Sequence, residues 1–206
     1  MTREEILKVF HSHARHYKNE PNGSRADFTD VDLSGSDLSA TNFNNAIFVR
    51  AKLVAATMSC SNFYSADFTG ADLQRAYLSC ADLHGANFKD AILDGAILAN
   101  ADLSGANLAG ASLVNAYLPT CNLDCARLNW NSHDLVAEVL RRDAGEDLIR
   151  RSVAGLFLAS RDVEIGRLLT FQLPSSAWAI NELARWVEDG DGAPEILKKR
   201  SELYDK

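Results

Sequence analysis

The stretch ADFTGADLQRAYLSCADLHG, residues 66–85, decides the fold. Ala66, Ala71, Ala76 and Ala81 stand five apart, and Phe68, Leu73, Leu78 and Leu83 each follow two residues later. A strand repeats every two residues and a helix every 3.6, so neither holds such a beat. Followed outward, the five-residue unit runs without insertion from Ala26 to Trp130, 21 times. Its central residue is Leu 14 times, Phe six times and Met once, at Met58. Two residues earlier stands Ala at 16 sites, and Val31, Ser36, Thr41, Ser61 and Cys121 fill the others. Asp or Asn directly precedes the centre in 12 of the 21 units, and Gly occurs only at the unit's last position. A repeat this regular sets the fold before any other reading.

Two inward positions separated by one residue are locally strand-like, and the chain must then turn before the next pair. A short extended piece and a turn, repeated, give a coil whose turns stack into a solenoid. Gly at the end of the unit suits a turn with unusual dihedrals, and Asp, Asn, Ser and Thr bond the backbone at such bends. The number of units per coil is also legible. Phe28, Phe48, Phe68 and Phe88 lie 20 apart, as do Leu33, Leu53, Leu73, Leu93 and Leu113, and Asn42, Asn62, Asp82, Asp102 and Asn122. Stacked like residues imply four units per coil and about five coils, a column roughly 25 Å long at about 4.8 Å per stacked strand.

Units such as Ala71-Asp72-Leu73, Ala101-Asp102-Leu103 and Ala106-Asn107-Leu108 resemble the A-(D/N)-L-x-x unit of the pentapeptide-repeat family. The resemblance covers half the chain. It implies a β-solenoid, a right-handed quadrilateral β-helix, with the Ala-type and Leu/Phe positions turned inward. Ile47, Lys52, Tyr77, Ile92, Ile97, Tyr117 and Arg127 depart from it where Asp or Asn is usual, a position that faces out in the family.

Composition agrees. Ala and Leu supply 55 of the 96 apolar residues, and Val and Ile only 18. The net charge of −7 argues against nucleic-acid binding through basicity. The N-terminus lacks the apolar core of a signal peptide, and the longest apolar run, 153–159, falls far short of the ~20 residues of a membrane span. Four Cys make no disulfide framework, and a bacterial-type cytoplasmic protein is expected.

Three segments follow. Residues 1–24 form a capping helix, with Thr2 and Glu5 as a capping box, Ile6, Phe10, Ala14 and Tyr17 on one face, and Pro21-Asn22-Gly23 as the stop. Residues 25–130 form the β-helix. Residues 131–206 form an α-helical domain, its first helix capped by Asn131 or Ser132, lined by Leu135, Val136, Val139 and Leu140, and stopped by Gly145. Further helices are predicted over 147–160, 162–171, 175–189 and 194–204. The three Trp (Trp130, Trp178, Trp186) lie at or beyond the last unit, which gives the tail its own core.

No catalytic motif is recognised, and an interior filled by Leu, Phe and Ala leaves no cleft, so a non-catalytic protein without cofactor or metal is expected. His11, His13 and His16 read as a helical surface face. Cys60 and Cys80 share a face on adjacent coils and read as thiols, a redox-formed bridge being the alternative; Cys121 reads as core. Asp27, Asp67, Asp72, Asp82, Asp102 and Asp124 form the candidate acidic surface. Residues 26–130 carry 11 acids and five bases, so the negative charge belongs to the column. Tyr77, Ile97 and Tyr117 form an apolar outward stripe, with Ala99 and Pro119 beside them and Ile92 and Val114 on the neighbouring face. Such a patch marks an interface, either with the C-terminal helices folded back or with a partner or second copy. The function expected is protein–protein interaction by a monomer or homodimer. The alternative, implied by the resemblance, is a DNA-mimicking regulator of a type II topoisomerase such as DNA gyrase. A third reading is an enzyme-associated module with its site in the tail.

Overall fold

In a computed structural model the described residues are 3–124, 126–127, 133–144, 154, 176–184 and 194. They fall in two compact units, Met1–Ala126 and Arg127–Lys206.

The first unit is a four-sided column. Its register is 20 residues: Asp27 bridges Ile47, which bridges Asp67; Asp32 bridges Lys52; and the series continues to Asp102 with Asn122, every bridge parallel. Sixteen such bridges among the described residues join five coils. Each rests on a slanted pair of hydrogen bonds. Phe28 N–H donates to the Ile47 carbonyl (2.8 Å), and Ile47 N–H donates to the Ala26 carbonyl (2.9 Å). At most corners the central residue's carbonyl accepts the N–H three residues on, as from Val31 to Phe28 at 3.0 Å; at the Leu38 corner the Thr41 N–H donates to the Ser61 hydroxyl oxygen instead (3.2 Å). The unit's last residue takes positive φ (Asp30 60°, Ala55 54°, Gly70 63°), and the residue before it does not. That is the signature of a type II turn.

The interior follows from the two inward positions. Phe28, Phe48, Phe68 and Phe88 stack on the first side at ring separations of 5.1, 4.8 and 4.9 Å. Phe43 and Phe63 stack on the fourth side and meet the first ladder edge-on, as Phe63 meets Phe68 at 5.4 Å. Edge-to-face contact suits ring quadrupoles, so the two ladders interlock. Higher up, Leu replaces Phe. The one buried hydroxyl in this lining, Ser61, donates to the Leu38 carbonyl at 2.7 Å and so carries no unmet polar group.

Helix α1, Arg3–Tyr17, precedes the column. Glu4 and Glu5 in its first turn and Arg15 and His16 in its last complement the helix dipole. It ends in a Schellman motif: Asn19 takes φ 54°, its N–H donates to His16 and that of Glu20 to Arg15. The stop is therefore Asn19, ahead of the expected Pro21-Asn22-Gly23. Gly23 returns so close to the backbone of Arg15 and His16 that no Cβ fits there. The docked face also differs from expectation. Tyr17 is exposed, whereas His13, read as surface, is 1% exposed. Its ring stacks on Phe43 at 5.9 Å, and Phe10 meets the same Phe43 ring edge-on at 5.8 Å. The spacing Phe10, His13, Ala14 puts the imidazole on the packed face. Thr2 lies outside the described residues.

In the second unit, α2 (His133–Ala144) buries Leu135, Val136, Ala137, Val139 and Leu140 and packs on α3 (Ser176–Ala184), which buries Ala179, Leu183 and Ala184. The helix expected over 162–171, all but Ala154 of that over 147–160, all but Pro194 of that over 194–204, and the flanks of α3 lie outside the described residues, as do Trp130 and Trp186.

Candidate interaction surface

The outward position before each central residue shapes the surface. Twelve units carry Asp or Asn there, and in all twelve the side-chain Oδ1 accepts the backbone N–H two residues on, at 2.9–3.2 Å. That N–H opens the turn and points away from the ladder, so an acceptor two residues earlier satisfies it. Either amide or carboxylate oxygen serves. Where the second side has Ser112 instead, Asp94 from the coil below takes over, accepting from Val114 N–H (3.0 Å) and the Ser112 hydroxyl (2.5 Å). The sequence pattern gave no sign of this substitution, because Asp94 sits at a position with no fixed preference.

The six candidate carboxylates stand on three sides. Asp27 and Asp67 lie on the first, with Ile47 bridged between them; Asp72 lies on the second, between Lys52 and Ile92. Asp82 and Asp102 bridge each other on the fourth, where Asp124 is also exposed. The Thr29 hydroxyl and N–H hold the Asp27 carboxyl below its ordinary range. For Asp102, burial pushes upward, but the Ser104 hydroxyl and N–H and the nearby His84 hold it down. Outside the six, a bidentate Arg50 guanidinium does the same for Asp30.

Beside Asp102 runs a short relay: His84 Nδ1 meets the Ser104 hydroxyl at 2.7 Å, and that hydroxyl donates to Asp102 at 2.6 Å. Because Ser104 gives its proton to the carboxylate, His84 must donate to it and cannot act as its base. The relay is structural, and Tyr64 stacks on His84 at 5.2 Å.

The apolar candidates come together more closely. Thr57, Tyr77, Ile97 and Tyr117 bridge in succession up the third side. Tyr77 is 47% exposed, Tyr117 59%, Val114 46% and Ile92 37%; Ile97 is half-buried between the two tyrosines. Ile92 and Val114 occupy successive coils of the second side, so the patch wraps the corner at Gly95. Cys60 and Cys80 are exposed free thiols on the third side, Cys121 is buried, and Cys125 lies outside the described residues. Among the described residues no group of three or more His, Cys, Asp or Glu is placed to hold a metal ion. No described helix is long and apolar enough to cross a membrane.

The family model for pentapeptide repeats matches residues 24–59, 56–100 and 101–130, just over half the chain. The chain belongs to the pentapeptide-repeat family. Its column is accordingly a right-handed β-helix solenoid, and the match is to a repeat family rather than to an enzyme family. Similar solved structures include a pentapeptide repeat protein from the Arabidopsis thaliana thylakoid lumen, 28% identical over 56% of this chain and 77% of that one, TM-score 0.33. HetL from the cyanobacterium Nostoc, involved in heterocyst differentiation regulation, is 26% identical over 51% and 67%, TM-score 0.26. QnrB1, a plasmid-mediated fluoroquinolone resistance protein, is 19% identical over 60% and 89%, TM-score 0.18. No curated protein sequence matches the chain.

Proposed function

We propose that this pentapeptide-repeat chain is a non-catalytic, cytoplasmic protein-binding module that engages its partner through the apolar corner of its last three coils. Residues 1–24 cap the column, 25–130 build it, and 131–206 form the helical domain that follows it in sequence. The observation that carries this reading is the patch of Tyr77, Ile92, Ile97, Val114 and Tyr117 on two adjoining sides. A contiguous apolar patch on an otherwise polar column is the feature that binding uses.

The test replaces the stripe with the residue the repeat prefers elsewhere. A Tyr77→Asn, Ile97→Asn, Tyr117→Asn variant keeps an acceptable turn at all three sites. Quantitative affinity capture with the full chain should show partners recovered by the native protein and lost from the variant. Equal recovery by both overturns the apolar corner as the binding site.

The rival reading is a DNA-mimicking regulator of a type II topoisomerase such as DNA gyrase. The net acidity of residues 26–130 favours it; the distribution of the six carboxylates over three sides, broken by Ile47 and Lys52, does not. Inhibition or protection in a gyrase supercoiling assay at micromolar protein, abolished by changing Asp82 and Asp102 to Asn but not by changing the stripe, decides for it.

A further inference from the structure

His13 is the one described histidine sealed between two elements. Its Nδ1 accepts the Ala26 N–H at 3.1 Å, the first backbone donor of the column. Nδ1 must therefore be unprotonated, and the neutral ring carries its hydrogen on Nε2, which is buried and has no partner. Around this contact α1 is held by Phe10 against Phe43 and by Ser12, whose carbonyl (3.2 Å) and hydroxyl (3.1 Å) accept the Ser24 N–H. None of these other contacts titrates.

We propose that His13 is an acid-released latch: its uncharged ring seals α1 onto the first coil, and protonation undocks the helix and uncovers Phe43 and the Ala26 N–H. A proton on Nδ1 would face the Ala26 donor, hydrogen against hydrogen, and the charge would sit in a pocket with no acceptor for either nitrogen. The groups facing the ring add to this. His16 lies one turn along α1 at a ring separation of 6.3 Å, and Arg25 approaches from the segment that enters the first coil. Among the described residues, the column adds the Phe43 ring and the Ala26 N–H. Asp27, the carboxylate of that coil end, faces Arg25. Burial first, then His16 and Arg25, lower the His13 pKa below 6.5. The sign follows. Undocked, the ring takes its proton near pH 6.5; docked, it resists. The latch holds fully above that pH and weakens as pH falls, by up to about tenfold per pH unit, until the docked ring itself protonates.

The experiment is hydrogen–deuterium exchange on the full chain between pH 7.5 and 5.0, corrected for the intrinsic pH dependence of exchange. Native protein should lose protection over residues 3–26 below pH 6.5 while residues 46–124 keep theirs. A His13→Gln variant, with an acceptor that does not titrate, should hold its protection flat across the range. Protection of 3–26 that persists at pH 5.0 in the native chain, or a loss that is the same in His13→Gln, overturns the latch. Should His13→Gln fail to dock at any pH, an NMR titration of the native histidines decides. A His13 pKa below 6.5 with Ala26 amide protection falling in step upholds it, and a pKa at or above 6.5 overturns it.

Discussion

If the outward Asp and Asn residues are there as acceptors, removing the charge should cost little and removing the oxygen should cost much. Asp67 gives the sharpest case. Its Oδ1 accepts the Thr69 N–H at 3.0 Å, the Thr69 hydroxyl at 2.6 Å and the Asn87 amide at 3.3 Å. A net hydrogen bond is worth about 0.5–1.5 kcal/mol, and these half-buried groups can turn partly to water, which favours the low end. Asp67→Ala is therefore expected to cost about 1.5–2 kcal/mol. For a chain of this size that is a fall of roughly 3–8 °C in Tm. Asp67→Asn keeps the accepting oxygen and is expected to stay within about 0.5 kcal/mol of native. Thermal unfolding followed by circular dichroism at neutral pH, in low and high salt, measures both. A loss in Asp67→Asn as large as in Asp67→Ala, fading as salt rises, would mean that the charge does the work. The acceptor account would then be wrong.

Phe48→Ala removes a ring stacked between Phe28 and Phe68 and is expected to cost about 3–5 kcal/mol in urea unfolding. A loss under 1 kcal/mol would mean the ladder is not tightly packed. Ala55 holds φ 54° at a corner, where glycine avoids the left-handed penalty, so Ala55→Gly should stabilise by up to about 1 kcal/mol despite glycine's larger unfolded-state entropy. Acid should act in a separate window from the His13 latch. The Asp27, Asp32, Asp37 and Asp102 pKa values are lowered in the fold by hydrogen bonds from the turn two residues on, and that of Asp30 by Arg50. Their stabilisation is thus present above the ordinary carboxylate range and lost as pH falls through the lowered values. The column should hold its circular dichroism signal at pH 5 and weaken only below about pH 4.

Much of the column was legible because its period leaves so little freedom. One inward pair every five residues and like residues every 20 admit one register, and the bridges from Asp27–Ile47 to Asp102–Asn122 follow it without a slip. Side-chain roles that depend on a neighbouring coil were harder to see. Asp94 serves Val114 and Ser112, 18 to 20 residues away, and nothing near it in the chain says so. His13 departs from expectation for a different reason: polarity alone points to solvent, whereas its spacing from Phe10 sets it on the packed face. In the tail, the apolar spacing of Leu135 to Leu140 announced α2, but no period ties that helix to the column.

The departures from the repeat say more about use than the units that conform to it. An oxygen two residues before each turn N–H is locally favourable, so a column lacking it at Tyr77 and Ile97 forgoes something at the Ser79 and Ala99 N–H groups. Tyr117 forgoes nothing, since Pro119 has no N–H to satisfy and its fixed φ suits that turn position. Putting Asn back therefore separates two roles for the stripe. If the side chains are free for a partner, Tyr77→Asn and Ile97→Asn should each leave the full chain as stable or raise it by up to about 1 kcal/mol, with Tyr117→Asn flat. If the C-terminal helices cover them, the same changes place an amide in an apolar contact and should cost more than about 1 kcal/mol each, Tyr117→Asn included. Urea midpoints for the three single variants distinguish these outcomes without any knowledge of the partner. A uniform loss would overturn the proposed binding corner and make the stripe an internal seam.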